Sequence, residues 1–162
     1  MKGITRVWKK TMPDIISSRV KQIDNTTSLN DLIGRKVFSR SGEYVGKVKD
    51  FLTRENELLG MLVKGTQTVF IDKEHFTLTS GDMIMLAIEP VTNTIGKQVI
   101  DSDGRILGKV VALERKSLQN TYSALTVKRH MYAKPMSIPK AQVSVAKKNV
   151  ILKIAYQEQE NG

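Results

Sequence analysis

The side chains that could do chemistry are few. His75 and His130 are the only histidines and the chain has no cysteine, so thiolate nucleophiles, thiolate zinc sites and disulfides are excluded. His75 ends the run Asp72-Lys73-Glu74-His75, and the matching run later in the chain ends on Gln142; a polar turn residue accounts for both. Asp101, Asp103 and Gly104 match the opening of a calcium loop. Leu107 and Ala112, however, stand where later ligands would be needed, the glutamate of the twelfth position included. The hydrogen bonds of an Asx-type turn suit these aspartates better. No glycine-rich loop leads from a strand into a helix to cradle a phosphate. The chain is therefore expected to be no enzyme and to hold no cofactor or metal, which leaves recognition by basic and apolar surface groups.

Two segments offer such groups. Near the start, Ile4, Val7, Trp8, Met12 and Ile15 follow helical spacing, with Lys2, Arg6, Lys9 and Lys10 on the other side. Pro13 breaks or kinks this basic amphipathic helix. One reading lays Ile4, Val7 and Trp8 into a membrane surface with Lys9 and Lys10 toward anionic headgroups, weakly enough to need avidity from oligomerisation. The other docks the same stripe on a barrel or on a second subunit. The second segment holds Lys128, Arg129, Met131 and Tyr132. It reads either as a hairpin with solvated charges or as a binding loop.

The net charge of +10 is unevenly spread: +4 over residues 1–30, −1 over 31–90 and +7 over 91–162. A duplicated nucleic-acid module would be basic in both halves. The longest apolar run, Met83 to Ile88, is far short of a membrane span, and no secretory leader is evident. A cytoplasmic protein is expected, at the inner face of the cell membrane or the division site if the arm binds there.

What must position these groups is a repeat. Ile33-Gly34-Arg35-Lys36-Val37 and Gly42-Glu43-Tyr44-Val45-Gly46-Lys47-Val48 recur 62 residues later as Ile95-Gly96-Lys97-Gln98-Val99 and Gly104-Arg105-Ile106-Leu107-Gly108-Lys109-Val110. Seven of sixteen positions are identical over that stretch, a tandem duplication. Each copy breaks into short runs rich in β-branched and aromatic residues: Val37–Phe38, Tyr44–Leu52, Leu58–Val63, Thr68–Ile71, Phe76–Leu78 and Met83–Ile88 in the first. Gly42 and Gly104 supply hairpin turns; Gly46 and Gly108, inside a strand, mark a bulge or sharp coil in a small curved barrel. Beyond these, Ile71/Ile138, Lys73/Lys140, Phe76/Val143, Leu78/Val145 and Ile84/Ile151 align at an offset of 67, which puts five extra residues between Leu125 and Ile138. Units of about sixty residues have small cores, so the two are expected to pack together.

The pattern of Ile-Gly-basic-x-Val, a glycine turn, a second glycine and a closing apolar strand resembles the PRC-barrel family. Ile33, Gly34, Val37, Gly42, Gly46, Lys47 and Val48 carry the resemblance in one copy, and Ile95, Gly96, Val99, Gly104, Gly108, Lys109 and Val110 in the other. The expected fold is mainly β: an N-terminal helix and linker (1–30), two tandem PRC-type barrels (31–90 and 91–156) and a flexible tail (157–162). The resemblance implies a non-enzymatic adaptor, similar to archaeal PRC-barrel proteins of FtsZ-based cell division. Its partner would be a protein such as FtsZ or its membrane anchor, in a homo- or hetero-oligomer. The alternative is an RNA- or ribosome-associated factor resembling RimM. Only Tyr122, Tyr132 and Tyr156 could stack on bases in the basic copy, which counts against RNA.

Overall fold

A computed structural model describes residues 27–77 and 82–156. The helix expected over the N-terminal arm, with Ile4, Val7, Trp8, Lys9 and Lys10, and the tail at 157–162 lie outside the described residues.

The first half forms β1 (Lys36–Phe38), β2 (Tyr44–Arg54), β3 (Glu57–Lys64), β4 (Thr68–Asp72), β5 (Phe76–Thr77) and β6 (Met83–Leu86). The second forms β7 (Gln98–Ile100), β8 (Ile106–Glu114), β9 (Ala124–Lys128), β10 (Met136–Pro139), β11 (Val143–Ala146) and β12 (Val150–Leu152). Hydrogen-bonded order is β4-β3-β2-β1-β6-β5 in one sheet and β10-β9-β8-β7-β12-β11 in the other. Only β1–β6 and β7–β12 run parallel. The chain is thus mainly β, with two small barrel-like sheets of one topology, and the strands expected in the first half are all present.

Each sheet closes on its own core. Val37, Met61, Val63, Val69, Ile71 and Ile84 are fully buried in the first, and Val99, Leu125, Val127, Ile138 and Val150 in the second. Alternate residues of the same strands face water, the period-two pattern of a sheet covered on one side.

Strand pairing corrects two of the alignments drawn from sequence. Val48 pairs with Val63 and Val110 with Val127, so the offset at β3 and β9 is already 64. Ile71 pairs with Met61 and Ile138 with Leu125, where it reaches 67. Two of the extra residues therefore precede β9, in the β8–β9 connection, and only three enlarge the β9–β10 hairpin. The match of Ile84 with Ile151 also fails. Val37 stands beside Ile84, whereas Val99 stands beside Val150. Ile151 is exposed, like Met85. The shared isoleucine misled because a strand reverses face at every residue.

The β1–β2 and β7–β8 hairpins keep one hydrogen-bond plan with different side chains. Ser39 Oγ accepts from the N–H of Glu43 at 3.2 Å. Its counterpart, the buried Asp101 carboxylate, accepts from the N–H groups of Arg105 (2.8 Å), Asp103 (3.0 Å) and Tyr156 (3.3 Å). The Asx-type turn expected from sequence is present. Burial pushes the Asp101 carboxyl up, but these three donors outweigh it and hold the group below the usual carboxylate range. A depressed folded value contributes stability that is present above the unfolded pKa, near ~3.9, and is lost as pH falls through the folded one. Asp101→Asn is therefore expected to melt below wild type at pH 7, with the gap closing below about pH 4. A gap unchanged in melting curves between pH 7 and pH 3 would show that the charge contributes nothing.

The two units touch along β4, an outer strand of the first sheet. The β8–β9 connection lies against it: Phe70 N–H donates to the Leu118 carbonyl at 2.7 Å, and Arg115 Nη2 donates to the Thr68 carbonyl at 2.7 Å. Gln67 Nε2 reaches the Leu113 carbonyl at 3.4 Å; within the second unit Asn120 Oδ1 accepts from the Val91 N–H at 2.8 Å and ties down the same connection. Glu43 adds an ion pair with Lys97 at 3.6 Å and accepts from Asn93 Nδ2 at 3.2 Å. Backbone edge groups that would face water are thereby paired. The equivalent edge in the second sheet is handled otherwise. Thr68, Phe70 and Asp72 point their backbone groups away from β3, and the residues in register with them are Pro135, Ser137 and Pro139. Two of the three have no N–H to offer.

Candidate functional site

Of the residues expected to bind a partner, Lys128, Arg129, Met131 and Tyr132 are described, and they sit together. Lys128 ends β9 and the other three lie in the β9–β10 hairpin. Met131 is 79% and Tyr132 90% exposed, an unusual disposition for large apolar side chains. The hairpin overhangs a groove of about 270 Å³ on the outer face of the second sheet. Ile106, Lys109 and Val111 of β8 form its floor, and Lys128, Arg129 and Met131 its side.

The bulge in β8 creates that floor. Val99 pairs with Gly108 but Ile100 with Ile106, so Leu107 is the extra residue. Leu107, Gly108 and Val110 turn inward while Ile106, Lys109 and Val111 turn outward. At Gly108 the backbone of Lys128 and Arg129 comes so close that a Cβ there would overlap the Lys128 carbonyl. Gly46 meets the backbone of Lys64 and Gly65 in the same manner. Gly34, Gly42, Gly96 and Gly104 differ: each has a φ between +81° and +88° with open space where a side chain would stand.

The first sheet carries the corresponding groove, larger at about 520 Å³. Tyr44, Lys47, Lys49, Lys64 and Thr66 occupy the places of Ile106, Lys109, Val111, Lys128 and His130. Sequence reasoning overlooked this groove, because it sought function only where the copies differ. The lysines common to both, Lys47 with Lys109 and Lys64 with Lys128, were its visible trace.

Other basic groups of the second half are dispersed. Lys140 lies at the far end of β10, with Nζ 5.3 Å from the centre of the Tyr122 ring and 3.5 Å from Thr121 Oγ1; burial pushes the Tyr122 phenol up. Lys147 and Lys148 occupy the β11–β12 turn. His75 and Gln142 end equivalent 3₁₀ turns, and their carbonyls accept from Ala87 and Lys153 respectively. They are turn residues, as the sequence suggested. Among the described residues no helix is long and apolar enough to cross a membrane.

No curated protein matches the chain. Residues 24–89, which span the whole first sheet, match the family of the PRC-barrel domain, and a PRC-barrel domain is found there.

Proposed function

We propose that the protein is a non-enzymatic adaptor built from two PRC barrels, which binds other proteins through the groove and overhanging hairpin of the second. The observation that carries this reading is the hairpin tip, where Met131 and Tyr132 stand almost wholly in solvent beside Lys128 and Arg129. Nothing in the fold of this unit needs them there, since its core closes without them. Exposed aromatic and thioether side chains next to basic ones suit a protein interface, where such residues concentrate binding energy. A small β-barrel of the PRC type is compatible with such a role. By the resemblance to archaeal division proteins, the partner belongs to an FtsZ-based division apparatus in the cytoplasm, with the N-terminal arm as peripheral membrane contact or oligomer surface.

Affinity capture with the full chain, with the arm deleted, and with Met131→Ala plus Tyr132→Ala tests the reading. The double variant is expected to lose captured protein by about tenfold or more while its melting temperature stays within ~2 °C of wild type. Recovery of ribosomal RNA or ribosomal proteins at physiological salt, with no cytoskeletal or division protein, overturns the adaptor in favour of a RimM-like factor.

A further inference from the structure

The outer faces of both sheets share a feature that their different net charges conceal. In the first, Lys36 pairs in register with Lys47, and Lys47 with Lys64. Three ammonium groups thus stand on adjacent strands at one level. In the second, Gln98 pairs with Lys109, and Lys109 with Lys128. Like charges directly opposite each other on neighbouring strands oppose sheet formation, and none of these lysines has a carboxylate ion-pair partner among the described residues. Lys47 and Lys64 of the first row and the whole of the second row line the grooves already described, each with exposed apolar groups beside it: Ile33 and Tyr44 in one, Ile106, Val111 and Met131 in the other.

We infer that each unit carries one binding site for a short acidic peptide segment, so that the chain holds two acidic segments at once. The inference rests on the adaptor reading and names its partner's chemistry. Strands are spaced by about 4.8 Å, so neighbouring lysines of a row stand ~5 Å apart and the outer pair of the first row ~10 Å. Side chains of an extended segment share a face at every second residue, ~7 Å apart, so two carboxylates two positions apart meet lysines of one row, and an adjoining apolar side chain fits the groove. A polyanion fits less well. The first unit, at −1 over residues 31–90, has no net positive field to draw in a phosphate chain. The apolar walls would also meet nothing on a sugar–phosphate backbone.

The test uses the full chain and a fluorescent ten-residue peptide with two glutamates two positions apart next to a leucine. Its controls are the same peptide with lysines in place of the glutamates and a ten-nucleotide single-stranded RNA. Fluorescence anisotropy is expected to give two acidic-peptide equivalents per chain, weakened about tenfold between 50 and 500 mM salt. Lys47→Gln plus Lys64→Gln removes one equivalent, Lys109→Gln plus Lys128→Gln the other, and the quadruple variant both. Each pair also relieves cross-strand repulsion, so melting temperatures hold or rise as binding is lost, which a merely structural role would not produce. Acidic peptide bound no tighter than its lysine control, full binding by the quadruple variant, or tighter binding of the RNA would each overturn the inference. The first two leave protein capture by Met131 and Tyr132 to be judged separately.

Discussion

Gly46→Ala and Gly108→Ala are each expected to destabilise the chain by ~3 kcal/mol or more, lowering the melting temperature by about 10 °C or beyond. At both positions a Cβ would overlap a backbone carbonyl, that of Lys64 or Lys128. Neither carbonyl can retreat: each lysine is held in register with the β2 or β8 residue next to that same glycine. The φ values, +157° and +148°, add strain for any L side chain. Gly34→Ala and Gly96→Ala supply the control, since both positions are open and only the positive φ opposes substitution, at ~1 kcal/mol. Urea unfolding of the four variants separates the classes; a Gly108→Ala midpoint equal to that of Gly96→Ala would show that the close approach is not what demands glycine.

The second large effect is expected at Arg115. Its guanidinium reaches across from the second unit to the Thr68 carbonyl, and burial pushes its pKa down from the usual value while leaving it charged at neutral pH. Nη1 has no partner among the described residues, and neither has Gln67 Oε1, so a single bond carries the cation's contribution. Arg115→Ala removes a hydrogen bond from a charged donor and leaves the Thr68 carbonyl without its partner, a cost of about 2 kcal/mol. Because this bond joins the units, the expected signature is loss of cooperativity. Wild type unfolds in one transition, and Arg115→Ala combined with Glu43→Ala, which also removes the contacts of Glu43 with Lys97 and Asn93, unfolds in two. Hydrogen exchange locates the effect, with the Phe70 amide losing protection ahead of its neighbours in β3. One transition at the wild-type midpoint would mean that the units are not coupled through this contact.

The repeat made the fold legible because glycine and valine identities are imposed by backbone geometry, and these survive duplication. Val37 and Val99 had to be buried, and Gly42 and Gly104 had to turn, whatever the units do. Later equivalences were harder to read, since strand pairing alone decides whether Ile151 or Val150 replaces Ile84. The site was half legible. Met131 and Tyr132 stood out as apolar residues in a basic loop, but the lysine rows were hidden. Lys36, Lys47 and Lys64 are far apart in the chain and become neighbours only through register. The contact between units was invisible for a similar reason: Gln67, Arg115 and Leu118 act through backbone partners, which no side-chain pattern announces.

The prolines flanking and ending β10 change what the second outer strand can accept. On β4 the next unit's β8–β9 connection hooks onto the Phe70 N–H and the Thr68 carbonyl. The counterparts in the second unit, Ser137 and Pro135, still offer an N–H and a carbonyl, but Pro135 and Pro139 have no N–H. A point contact of the kind made by Arg115 and Leu118 is therefore open to this edge, while a strand laid along it finds no complete ladder. The edge takes a clasp and refuses a zipper, which is what keeps strand edges from running on as a fibre.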